Sequence, residues 1–201
     1  MLREFVTRVD AEILTRESYL TDFGEVRAAL DSDSLKLEVG QSFREPGFDS
    51  WRAFDAGDLV GSISFAEASR TRSKANYDSR RIRIVDDARL SPYLEWELMV
   101  LLRKSIDGEI VHILSSIEAE KQLGHDIPEL LFIGPRVMWQ PLYSPDGTNV
   151  GGMRYEDDAL VPEIHQMIMA IDSSTVPIDV WMRDNRQRFE LDWPSDAFAP
   201  L

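Results

Sequence analysis

The chain has 201 residues, with 36 Asp and Glu against 22 Lys and Arg, a formal net charge of −14 and 43 % hydrophobic residues. That is enough apolar material for one compact domain and too much for a collagen-like or fully disordered chain. The absence of cysteine excludes disulfides, thiolate nucleophiles and Cys-ligated metal sites, and no run approaches the ~18 apolar residues of a membrane-spanning helix.

Residues 2–20 read as an amphipathic helix, because Leu2, Phe5, Val6, Val9 and Ile13 keep helical spacing. Its apolar face packs on the chain's own domain or docks on a partner. Met1 to Asp10 lacks the unbroken apolar core of a secretory signal. Residues 1–24 therefore form an N-terminal helix, 25–193 an α/β domain and 194–201 a flexible tail. Leu35 to Val39 alternates with period two and predicts a half-buried strand. Pro46 and Gly47 break the chain. A short helix starts at Trp51 and stops at Gly57, and residues 61–79 form a polar surface helix and loop.

The middle of the chain is more specific. Arg80 to Val85 predicts a strand with Ile82 and Ile84 on one side and Arg81 and Arg83 on the other. Ser91 is placed to cap a helix that begins at Pro92 and ends at Gly108. The helix is apolar on most sides, so it is buried. Glu109 to Leu114 follows as a second strand, making a βαβ unit with parallel strands and a right-handed crossover. Ser115 and Glu118 have the spacing of a capping box. Strands follow at 129–133 and 136–143, joined at Gly134-Pro135, with a turn at Ser144 to Gly147 and a short strand at 150–155. Residues 163–171 predict a helix. The fold expectation is an α/β domain: a mixed sheet of about five or six strands, a central buried helix and an N-terminal amphipathic helix.

The chemistry is mostly defined by exclusion. His112, His125 and His165 sit in no zinc-binding or phosphodiesterase spacing. There is no nucleophile elbow, phosphate loop or dinucleotide fingerprint. Asp86-Asp87 and Asp157-Asp158 supply carboxylates suited to a hard cation, but adjacent acids diverge, and solvated loop acids explain them better. No metal and no cofactor is expected.

Glu95 and Glu97 face about 200° apart on the central helix. Glu97 is the candidate to point inward, needing Arg81 or Arg83 as its cation. That pairing is either a fold-organising salt bridge or part of a polar ligand pocket, with Arg81, Arg83, Tyr93 and Glu97 as ligand-binding residues. If the chain is an enzyme, Glu97, Glu109 and His112 are its acid–base candidates. Arg70, Arg72, Lys74, Arg80, Arg81 and Arg83 concentrate positive charge in 70–83, with Asp78 as the one acid. Internal pairing with the acidic remainder and an anion-binding patch both fit. A net charge of −14 opposes direct nucleic-acid binding.

The runs Arg81 to Val85, Leu90 to Leu98 and Gly108 to Leu114, with Leu35 to Gly57 upstream, resemble an uncharacterised actinobacterial domain family whose segments read R-V-R-V-V, L-S-x-Y-L-R-F-E-L and A-G-E-x-[IV]-R-x-L. The resemblance covers about residues 30–155 and puts Arg83, Tyr93, Glu97 and Glu109 on the motif's polar positions. His112 stands where the family has arginine. The resemblance implies a cytoplasmic, non-catalytic regulatory or sensor module with a protein partner, a helix-turn-helix regulator being the one encoded nearby in such families. The element order is also distantly similar to one half of a phospholipase D-like domain without its catalytic H-x-K. A small enzyme of specialised metabolism is the alternative. No membrane partner is expected, and nothing in the sequence sets an oligomeric state.

Overall fold

The computed structural model describes residues 1–8, 10–30, 32–71 and 79–198. In chain order the elements are α1 (Leu2–Val6), β1 (Ala11–Thr15), α2 (Arg16–Ala29), β2 (Ser34–Glu38), α3 (Asp49–Asp55), α4 (Leu59–Thr71), β3 (Ser79–Val85), α5 (Pro92–Ile106), β4 (Ile110–Ser115), α6 (Ser116–Leu123), β5 (Leu130–Ile133), β6 (Val137–Tyr143), β7 (Asn149–Tyr155), α7 (Leu160–Ala170), β8 (Val176–Pro177) and α8 (Ile178–Asp184). The described residues thus form an α/β fold of eight helices and one mixed sheet of eight strands, ordered β1-β7-β6-β5-β2-β3-β4-β8. β2, β3 and β4 run parallel and every other pairing is antiparallel.

The strand count exceeds the expected five or six, and the two extra strands are the sheet's edges. β8 has two residues and pairs His112 with Pro177. β1 overturns the single helix over 2–20. The chain is helical only to Val6, pairs with β7 from Ala11 to Thr15, then turns helical again at Arg16. Thr15 caps α2, its side chain accepting from the Ser18 N–H at 3.3 Å. Ile13, which continued the helical spacing, is 74 % exposed. Backbone pairing with a distant strand overrode a local pattern.

Strand alternation sorts the core onto two faces. On one, Leu35, Leu37, Ile82, Ile84 and Phe132 pack with Leu2 and Val6 of α1, Leu123 of α6 and Ile164 and Ile168 of α7. On the other, α5 lays Leu94, Leu98 and Leu102 near Val111 and Ile113, joined by Ile178 and Met182 of α8. α2 covers the far end of that second face, where Tyr19 and Phe23 meet Leu131, Ile133 and Trp139. Each such fully buried side chain contributes roughly 2 kcal/mol. Between these two apolar patches the middle of the second face is polar.

α5 begins as its sequence requires. The Ser91 hydroxyl accepts from the Leu94 N–H at 3.1 Å and Pro92 occupies the first turn. Of the expected tail 194–201, residues Ser195–Phe198 form a 3-10 turn, and 199–201 lie outside the described residues. Phe198 is 8 % exposed, edge-on to Phe189 with ring centroids 5.5 Å apart.

Candidate functional site

The polar middle of the sheet comes from alternation on β2 and β3. Lys36 lies beside Arg81 and Glu38 beside Arg83 in the parallel register, on the face opposite Leu35, Leu37, Ile82 and Ile84. Glu38, Arg81 and Arg83 are buried, so each needs a partner. The Arg81 guanidinium donates to Glu38 Oε1 and, at 2.9 Å, to Glu109 Oε1. Arg83 is 0 % exposed. It donates to Glu97 Oε2 at 2.8 Å, to the Ile84 carbonyl at 3.1 Å and to the Gly40 carbonyl.

This packing splits the carboxylates. Burial works against ionised Glu38, but Arg81, backed by Lys36 and Arg83, outweighs it and holds Glu38 at about 2. Burial also works against Glu109, yet Arg81 and Lys104 keep it below the usual range. At Glu97 burial wins over Arg83, and the carboxyl lies above its ordinary value. Burial, then the Arg81 charge, brings Lys104 down to about 8.

Above this layer lies a cleft of about 690 Å³. Its walls are α2 with Tyr19 and Phe23, the strap 39–48 with Phe43 and Glu45, the start of α5 with Tyr93 and Glu97, and Glu129 with Tyr143 near the β6–β7 hairpin. The strap is tied at several points. The Arg44 N–H donates to the Gly147 carbonyl at 2.9 Å, and Trp51 Nε1–H donates to the Phe43 carbonyl at 3.3 Å. Phe43 stacks on Tyr143 at 4.5 Å between centroids and meets Tyr93 edge-on at 5.7 Å. Gly40 makes room for that ring: a Cβ there would come within 2.1 Å of Phe43 Cζ.

Glu129 accepts from the Tyr143 hydroxyl at 2.7 Å. Burial, then the Glu38 charge, pushes it up to about 7. Glu45 is raised by burial, then by Glu97 and Glu38. Tyr93 reaches Glu97 Oε1 with a long contact of 3.4 Å.

Of the residues singled out in the sequence, Arg83, Tyr93 and Glu97 come together, with Arg81 and Glu109 beside them. Tyr93 and Glu97 line the cleft, while Arg81 and Arg83 lie outside its lining. His112 is not with them. Val111 and Ile113 face α5, so alternation turns His112 to the opposite side, where its Nδ1 lies 2.8 Å from Thr175 Oγ1. The acid–base trio of Glu97, Glu109 and His112 therefore does not assemble. Glu95 also differs from expectation. It is 2 % exposed and accepts the Glu190 and Leu191 N–H groups, each at 2.9 Å, so both glutamates of α5 are inside, on different sides.

Glu38, Glu45, Glu129, Tyr19 and Tyr143 were not legible as site residues. The one available signal was Lys36 and Glu38 on the polar side of β2. No group of three or more His, Asp or Glu side chains suited to a metal occurs among the described residues. Asp87 and Asp157 instead accept backbone N–H groups at the starts of α6 and α7. Of the basic stretch 70–83, Arg72, Lys74 and Asp78 lie outside the described residues.

The profile of the family described as Domain of unknown function (DUF6879) matches residues 21–183. The chain belongs to that family. The DUF6879 match takes in the whole ionic layer and every cleft residue named above except Tyr19. No curated protein matches the chain, and no solved structure does. No helix among the described residues is long and apolar enough to cross a membrane.

Proposed function

We propose that this DUF6879 chain is a non-catalytic sensor module: a small molecule enters the cleft and a protein partner reads the result. One observation carries the reading. The Arg83–Glu97 pair is intact, at 2.7 Å, yet a cleft of about 690 Å³ adjoins Glu97 and Tyr93. The buried ions are committed to one another, and the hollow above them has the size and mixed lining of a small-molecule site. The ion layer is the floor of that hollow and the ring-lined strap 39–48 is one of its walls.

In this reading the protein works in the cytoplasm beside a helix-turn-helix regulator, as the resemblance to an actinobacterial family implies. The acidic chain meets that protein rather than its nucleic acid. The distant likeness to a phospholipase D-like half fits a domain that binds without reacting, since Leu130 to Tyr143 holds no histidine or lysine. The test is a charge-balanced fragment library followed by NMR of the labelled protein. Shifts clustering on Phe43, Tyr93, Glu97 and Glu129 are expected. A library that moves none of them removes the sensor reading. A pull-down with and without a hit then identifies the partner.

One observation favours a second reading, a small enzyme. Glu129 sits in the cleft with its carboxyl pushed up to about 7 by burial and then by Glu38, a value suited to proton transfer at neutral pH. It takes the role first given to Glu97, Glu109 and His112. Turnover of a defined substrate that Glu129→Gln abolishes, in a variant that still folds cooperatively, would establish this reading over the first.

A further inference from the structure

We propose that the cleft takes an organic ammonium ion with an apolar body, its N–H groups bound by Glu129, Glu45 and Glu38. The proposal rests on the cleft being a ligand site and adds the class of ligand. Its first support is a shortage of donors. Glu38 lines the cleft, is 9 % exposed, and its Oε2 has no hydrogen-bond partner. Glu129 has the Tyr143 hydroxyl at 2.7 Å and a marginal contact of 3.5 Å to the Val39 N–H. Neither Glu129 nor Glu45 has an ion pair among the described residues. A buried acceptor left without a donor is costly, and a ligand bearing N–H groups removes that cost.

The second support is charge. Lys36, Arg81, Arg83 and Lys104 stand against Glu38, Glu45, Glu97, Glu109 and Glu129, so the enclosed layer has one more carboxylate than cations. Arg81 and Arg83 are held by Glu38, Glu109 and Glu97. The other cations on the lining, Arg16 and Arg44, are exposed at the rim, where water screens them, and Arg44 already pairs with Asp146 at 3.2 Å. An anion entering the cleft would meet Lys36 but also four lining carboxylates. Burial is the main cause of the upward displacement of Glu45, Glu97 and Glu129, and neighbouring carboxylates add to it at Glu45 and Glu129.

The third support is the wall itself. Phe43, Tyr93 and Tyr143 form a cluster of rings, and aromatic faces beside carboxylates attract desolvated cations. Phe23, Leu131 and Pro141 extend the lining with apolar surface, which suits a carbon skeleton and not a bare metal ion.

The experiment is calorimetric titration of the full chain with three probes of one skeleton: phenethylamine, 3-phenylpropanoate and 3-phenylpropanol. Saturable one-to-one binding of phenethylamine is expected, with no binding of the carboxylate. Glu129→Gln should weaken it about tenfold or more, the usual loss for a hydrogen bond to a charged group. Glutamine keeps an acceptor for Tyr143, so this variant folds; Glu45→Gln is the independent second variant, expected to act in the same direction. Preference for the carboxylate or the alcohol overturns the cation assignment while leaving the cleft as a ligand site. Phenethylamine binding that neither variant weakens places the ammonium elsewhere and also overturns it. Failure of all three probes at millimolar concentration overturns both the cation assignment and the sensor reading.

Discussion

Glu38 and Glu129 answer to opposite forces, and their pH behaviour separates them. Glu38 is held at about 2 against an ordinary 4.5. Its ionised form therefore contributes stability that is fully present above about 4.5 and is lost as the pH falls through about 2. Glu129 is raised to about 7 from 4.5. The folded state then binds its proton more tightly than the unfolded chain does, so ionising it costs stability. That cost builds as the pH rises from about 4.5 and is complete above about 7. Glu129→Gln should raise the melting temperature relative to wild type above pH ~7 and leave it unchanged near pH ~4. Thermal melts across this range check the sign; a variant less stable at high pH contradicts it. Arg83 poses a different problem because it is enclosed with its partner. Removing Glu97 alone, as in Glu97→Leu, should cost about 3 kcal/mol or more by leaving a buried guanidinium. Arg83→Met added to it should recover part of that loss, and a double-mutant cycle in urea measures the coupling.

Among the elements, the strap 39–48 and the start of α5 act as a unit. Ser91 caps α5 through the Leu94 N–H and donates to the Gln41 carbonyl on the strap. Phe43 then lies over Gly40 and against Tyr93 and Tyr143. Gly40→Val should push the Phe43 ring off these partners at little cost to the sheet, because the clashing atoms are the far end of a movable side chain. The expected result is a changed near-ultraviolet circular dichroism signal and altered probe affinity with a nearly unchanged melting temperature. Loss of the whole fold would show that the strap carries structure as well as the cleft wall. Unequal legibility of the elements follows from the same distances. β3, α5 and β4 were readable because their cap, apolar faces and alternation are local, and the Arg83–Glu97 pair lies only 14 positions apart. The cleft joins Tyr19, Phe43, Glu129 and Tyr143, which no short pattern connects. β1 was missed because an edge strand is defined by its partner β7. Glu109 and His112 could not share a site, because they stand three positions apart and alternation puts them on opposite faces of the sheet.

At the scale of the whole molecule, the segments on either side of residues 21–183 are built into the fold. Leu2 and Val6 belong to the core beneath the sheet, and β1 closes one edge against β7. Beyond Asp184 the contacts are polar as well as apolar. Glu95 receives the Glu190 and Leu191 N–H groups, Arg103 donates to the Ala197 carbonyl at 2.9 Å, and Phe198 fills the surface of α5 and α8. A chain ending at Asp184 would leave Glu95 with neither donor. An enclosed carboxylate stripped of its partners costs about 3 kcal/mol or more, a large part of the stability of a domain this size. The truncated chain should melt well below the full one. Glu95→Leu, which removes the charge in need of donors, should destabilise the full chain yet partly restore the truncated one. That inversion of sign distinguishes a specific polar tether from simple loss of covering surface; equal effects in both backgrounds would refute the tether. Because Tyr93 and Glu97 flank Glu95 on α5, the truncated chain should also bind phenethylamine more weakly, joining the chain end to the wall of the cleft.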